Sequence, residues 1–180
     1  DQHLQDARKQ LGSGMASLEI LASAKPFHEA FQDAIEGQIV DLAIMGWRPT
    51  AGTQQPRMML NLGNHHLLLA TEPFSRIRRA LICLASGEPG KDTVVFAGRL
   101  LRHIGAEATL ISVVSAAESD VNSRDRVKRF LAAGKSSLAR FGVLANTTIR
   151  QGEVISTLQE EVTQGQYDLV VLGAPLPNES

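Results

Sequence analysis

The feature that most constrains this chain is an internal repeat of long period. Asp41-Leu42-Ala43-Ile44-Met45-Gly46 returns as Asp168-Leu169-Val170-Val171-Leu172-Gly173, 127 positions later. Gly14, Gly37 and Gln38 return as Gly142, Gly165 and Gln166, 128 positions later. Solenoid repeats run roughly 20–50 residues, so a period this long denotes duplicated domains. Between the anchors both copies read strand, helix, strand. The 180 residues therefore divide into residues 1–73, the back half of one unit, and residues 74–180, a nearly complete second unit.

In the first copy, Leu4 to Leu11 reads as the end of an amphipathic helix closed by Gly12-Ser13-Gly14. Ala16 to Ala22 reads as a short strand. Pro26 suits a first helical position, and Phe27, Ala30, Phe31, Ala34 and Ile35 follow at helical spacing up to Gly37. Ile39 to Met45 is nearly continuous in apolar residues, as a parallel strand covered on both faces should be. Gly46 to Asn64 is rich in Gly, Pro, Thr and Gln and reads as a long loop. Within it, Gln54 to Leu60 is polar and then apolar, a segment that covers a neighbouring surface or stays mobile. His65 to Ala70 reads as a strand, and Thr71 to Ser75 as a linker.

The second copy continues the alternation. Ala80 to Leu84 is a strand, Gly87 to Gly90 a turn, and Lys91 to Gly105 a helix with Val94, Val95, Ala97, Leu100, Leu101 and Ile104 inward. Thr109 to Val114 is a strand, Arg124 to Phe141 a helix, and Thr147 to Ile149 a strand edge. Glu153 to Thr163 is a helix and Tyr167 to Leu172 the last strand. Strands alternating with helices of about 10–18 residues imply right-handed βαβ crossovers. The fold class is α/β, an open, Rossmann-like parallel sheet with helices on both faces.

Composition narrows the function. With 43% hydrophobic and 21% charged residues the chain can bury a core, and its net charge of −1 excludes a global attraction to nucleic acid or an anionic membrane. Two short basic clusters, Arg76 to Arg79 and Arg124 to Arg129, read as solvated surface ahead of anion sites. The single cysteine, Cys83, lies in an apolar run and reads as a core residue of a reducing compartment. No apolar stretch approaches the roughly 20 residues of a membrane span, and the start has no signal-peptide character. The expected location is cytoplasmic. A start at Asp1, in mid-helix and without methionine, is what a fragment of a longer sensor or transporter would show.

The order strand, helix, strand, long helix, strand, helix, strand, Gly resembles the universal stress protein family. The resemblance rests on Tyr167 to Gly173 and Val40 to Gly46, with support from Arg79 to Leu84 and Arg150-Gln151-Gly152-Glu153. It implies an adenine nucleotide alpha hydrolase-like fold, with ATP or AMP as the cofactor class. In that family the opening strand ends in Asp, and a loop Gly-x2-Gly-x9-Gly-Ser/Thr follows the fourth strand. Glycine lets backbone amides approach phosphates closely. Here Gly46 opens the loop, but three residues on stands Pro49, which has no amide hydrogen. Gly63-Asn64 lies 17 residues after Gly46 where the pattern needs about 13. Gly173 is followed by Ala174-Pro175-Leu176-Pro177, and the expected Asp is Ala85, followed by Ser86-Gly87. The resemblance assigns nucleotide contacts to Ala85, Ser86, Gly87, Val113, Gly152, Gly173, Gly46 and Gly63.

Individual residues favour structural roles. His65 and His66 are adjacent on a strand and point to opposite faces, so no metal site is assigned. His103 complements a helix carboxyl end. Ser86 is expected in a turn. Trp47, after a strand carboxyl end, either fills a ligand pocket or packs its own loop. No nucleophile-elbow motif is present, so no catalytic residue is assigned. Two accounts remain open: a stress-response binding or regulatory module with degenerate or absent ATP binding, and an adenine-nucleotide-binding or hydrolysing protein with a non-standard loop. A homodimer through sheet edges is expected in either, with His66 to Ala70 as a natural pairing strand.

Overall fold

Backbone donors and acceptors of buried segments must pair, and every strand pairing among the described residues is parallel. The computed structural model describes residues 23–63, 65–71, 76–85, 91–115 and 121–173. These fall into two compact units. The expected helix at Leu4 to Leu11 and strand at Ala16 to Ala22 lie outside the described residues, as do most of the linker and the turn at Gly87 to Gly90.

In the first unit, helix α1 (Phe27–Ile35) precedes strand β1 (Leu42–Gly46), helix α2 (Gln54–Asn61) and strand β2 (His66–Ala70). Gly37 takes φ +72° just after α1, a left-handed conformation that ends a helix without steric cost in glycine. β1 and β2 pair in parallel from Leu42↔His66 to Gly46↔Ala70. The strand is shorter than expected at its start. Ile39 and Val40 precede the first residue β2 can pair, and Ile39 is 98% exposed.

The long loop expected from Gly46 to Asn64 is corrected by the structure. A 3-10 turn at Pro49–Ala51 and α2 occupy much of it. Pro56 and Met59, one helical turn apart, are the buried residues of α2, so the polar-then-apolar run is an amphipathic helix with proline in its first turn, where no amide is missed.

In the second unit, β3 (Arg79–Cys83), α3 (Lys91–Ile104), β4 (Glu107–Val114), α4 (Val121–Arg140), β5 (Ala145–Gln151), α5 (Val154–Gly165) and β6 (Leu169–Leu172) follow in order. All pairings are parallel and the strand order is β5-β4-β3-β6. Directly paired residues of a parallel sheet share a face. Leu84 and Leu110 lie against Gly134 of α4, where an added Cβ would meet Leu110 Cδ1 at 3.2 Å. Gly98 of α3 packs against Phe141, the residue just past α4, whose ring a Cβ there would meet at 2.5 Å. α5 lies on the opposite face, held by Arg150 Nε donating to Glu161 Oε2 at 2.8 Å. Helices on both faces bury the central strands: Ala80, Leu81, Ile82, Leu110 and Ile111 are all 0% exposed.

Two carboxylates fix the backbone around this sheet. Asp168 Oδ2 accepts the N–H groups of Arg78 at 2.8 Å and Arg79 at 3.0 Å, tying the start of β6 to the start of β3. Arg79 also stacks over the Tyr167 ring at 5.1 Å, so Tyr167 and Asp168 anchor β6 rather than extend it. Glu153 caps α5, accepting from Ile155 N–H at 3.1 Å and Ser156 N–H at 2.8 Å.

The Arg78 and Arg79 amides hold the Asp168 carboxyl below its ordinary range. A depressed folded-state pKa contributes stability above the unfolded value, and loses it as pH falls through the folded value. Asp168→Ala is therefore expected to lower the melting temperature at pH 7. The gap to wild type should narrow below about pH 4, the ordinary aspartate range; thermal melts by circular dichroism from pH 7 to pH 3 check this.

Candidate functional site

The order of the second sheet creates a crevice. The chain runs β3, β4, β5 outward, then returns past β3 to form β6. The reversal point lies between β3 and β6, and ligands of open α/β sheets bind outside the strand carboxyl ends there. Cys83 pairs with Ile111 on one side and Leu172 on the other.

Several of the residues assigned from the sequence converge on this point. Ala85 is two residues beyond Cys83, as Val113 is two beyond Ile111, and Gly173 directly follows Leu172. Ala85 and Gly173 are exposed and Val113 is half-buried. A Cβ on Gly173 would lie 3.3 Å from Thr93 Oγ1, so the first turn of α3 opens onto the same place. Backbone amides at such a turn suit an anion. Ser86 and Gly87 lie outside the described residues.

Gly152 has a different occupation. Its N–H donates to the Val114 carbonyl at 3.1 Å. Its φ is +156°, and a Cβ there would fall 2.5 Å from Thr157 Oγ1. The glycine serves the turn into α5, and its amide is already used.

The first-unit pair does not converge. Gly46 ends β1 opposite Ala70, whereas Gly63 precedes β2, whose first residue pairs with Leu42. The two glycines sit at opposite ends of a short sheet, so one phosphate could not be cradled by both. Trp47 packs its own loop: Nε1–H donates to the Gly52 carbonyl at 2.8 Å, and its backbone N–H to Ala70 at 2.8 Å.

His65 is buried edge-on against Phe31, with ring centroids 5.6 Å apart. Among the described residues no group of three or more His, Cys, Asp or Glu side chains could hold a metal ion, and no helix is long and apolar enough to cross a membrane. Burial pushes the Cys83 thiol up to about 12, which removes it as a nucleophile at neutral pH.

Two cavities lie away from the crevice. One, of about 180 Å³, is bordered by Arg150, Gln151 and Glu161 between β5 and α5. The other, of about 380 Å³, runs between α4 and β5 and includes Lys128 and Lys135. The sequence reading placed Lys128 in a solvated cluster; the signal it passed over is the pairing of two lysines seven residues apart on one helix.

Comparison with solved structures places this architecture. The universal stress protein of Archaeoglobus fulgidus superposes with a TM-score of 0.50 at 11% identity, covering 59% of this chain and 84% of that one. A protein of the universal stress protein family from Burkholderia pseudomallei gives 0.49 at 19% identity, covering 57% and 85%. A universal stress protein in complex with cAMP gives 0.48 at 13% identity, covering 55% and 77%. The likeness to the Archaeoglobus protein is one of fold, a Rossmann-like parallel sheet with helices on both sides. No protein-family model and no curated protein matches the sequence.

The raised Cys83 thiol gives a direct check. In the native protein Cys83 is expected to react with a thiol reagent such as DTNB at pH 8 at least about tenfold more slowly than in guanidinium, because only the thiolate attacks.

Proposed function

We propose that this chain is a universal-stress-type binding or regulatory module of the stress response, in which adenine-nucleotide binding is degenerate or absent. The observation that carries the reading is Ala85. It stands at the carboxyl end of β3, exposed at the reversal point, where the family resemblance expects an aspartate. A methyl group there accepts no hydrogen bond from a ribose or base. Pro49 offers no amide to a phosphate, and the Gly152 amide is bonded to Val114.

The same reading includes self-association through sheet edges, and a cytoplasmic location. β2 has one hydrogen-bonded neighbour among the described residues, as does β6, and such edges invite strand pairing. Ile44 is 65% and Leu172 62% exposed on β1 and β6, apolar surface that a second copy would cover.

A second reading is favoured by the convergence of Val113, Gly173 and the first turn of α3: a nucleotide bound by a non-standard loop. Thermal-shift titration with ATP, ADP, AMP and cAMP separates the two. A ligand at 100 times its dissociation constant adds about 2.7 kcal/mol, on the order of 10 °C for a unit this size. The proposal expects no shift and a dimer by light scattering. A shift that Val113→Trp removes by filling the crevice would establish the second reading instead.

A further inference from the structure

The groove between α4 and β5 has the chemistry of a peptide site. β5 is the outer strand of its sheet, hydrogen-bonded among the described residues to β4 alone. Ala108 N–H donates to the Leu144 carbonyl at 2.9 Å, and Gly152 N–H to the Val114 carbonyl at 3.1 Å. Alternate residues of a parallel strand turn their backbone groups to the same side. Leu144, Asn146, Thr148, Arg150 and Gly152 therefore face β4, while Ala145, Thr147, Ile149 and Gln151 turn N–H and C=O outward. Such a row is a template for one more strand.

α4 supplies the wall that gives the template selectivity. Lys128, Leu131, Ala132 and Lys135 line the groove from the helix, facing Thr147 and Ile149 of β5. Spacings of three, four and seven place those four on one helical stripe. Leu131, 2% exposed, forms an apolar floor, and the exposed lysines stand along the rim. The rest of α4 carries Arg124, Arg126, Arg129 and Arg140 against Asp125 alone, so the helix beside the groove is basic although the whole chain is near neutral. The contact of Lys128 with Asp125, 3.4 Å between exposed side chains, is too weak a pairing to withhold that lysine.

The spacing selects the guest. Seven helical residues separate the two lysines by about 10 Å, and same-side residues of an extended chain recur about every 7 Å. Flexible lysine stems reach carboxylates at alternate positions of a strand laid along β5. We infer that this groove binds an acidic peptide segment in extended conformation, added as a strand to the outer edge of β5, with its alternate carboxylates on Lys128 and Lys135.

The test is fluorescence anisotropy with the full chain and a labelled peptide of about eight residues alternating valine and glutamate. Saturable binding is expected, with no binding of the valine–lysine counterpart. Lys128→Glu/Lys135→Glu should weaken it at least about tenfold. Thr147→Pro removes one outward N–H without touching the ladder to β4, an edge position where proline is tolerated, and should abolish binding at an unchanged melting temperature. If Thr147→Pro unfolds the protein, the surface charge reversal decides alone, and unchanged affinity in it overturns the inference. Equal binding of the basic peptide, no saturable binding, or a dimer that Thr147→Pro dissolves would each overturn it as well.

Discussion

β3 is hydrogen-bonded along both edges, to β4 on one side and β6 on the other, and its middle is shut off from water on both faces. Ala80, Leu81 and Ile82 are 0% exposed. The enclosed middle of such a strand, Ala80 to Ile82, holds apolar side chains, and its backbone groups pair with neighbouring strands. Those partners come from segments far apart in the sequence. Asp168 completes the arrangement, because its carboxylate takes the two amides, those of Arg78 and Arg79, that lead into the strand. Register, crossover direction and the place where the chain reverses all follow from how β3 is flanked.

The reversal point is also where several of the residues singled out in the sequence meet. Among the described residues it brings together Ala85, Val113, Gly173 and the Thr93 hydroxyl. Architecture and chemistry separate here in a way physical reasoning allows: the sheet needs only the apolar strands, and binding needs specific donors and acceptors placed at their ends. Ala85 meets the first requirement, and its methyl group brings no hydrogen-bonding group to the second. The Gly152 amide shows the same division, since it bonds to Val114 and serves the entry to α5.

Edges are the other consequence of an open parallel sheet. β2, β5 and β6 each have one paired side among the described residues, and their surroundings differ. β6 presents exposed Val170 and Leu172, suited to apolar cover. β5 lies beside a basic helix, with lysines along the groove, suited to an acidic strand. One sheet can thus distinguish partners by what stands next to its edge, with the backbone offering the same hydrogen bonds in each case.

Much of this was legible in the sequence. The repeat of Asp41 to Gly46 at Asp168 to Gly173, and the alternation of apolar runs with amphipathic segments, determine an α/β chain with parallel strands, because hydrophobic period reports which faces are buried. Element ends were less legible. Ile39 and Val40 are as apolar as a strand should be, yet β1 begins at Leu42, where β2 begins to offer partners. Gly46 to Asn64 has loop composition, and it holds a helix because Pro56 and Met59 find a surface to bury against. Within the site, Gly46 and Gly63 looked like one loop along the chain and lie at opposite ends of a sheet. Local propensity and pattern are properties of neighbours in sequence, so the sequence by itself determined the kind of fold. Strand order, the company of Ala85 with Val113 and Gly173, and the facing of Lys128 and Lys135 onto β5 depend on residues brought together from afar, and only the tertiary structure decided them.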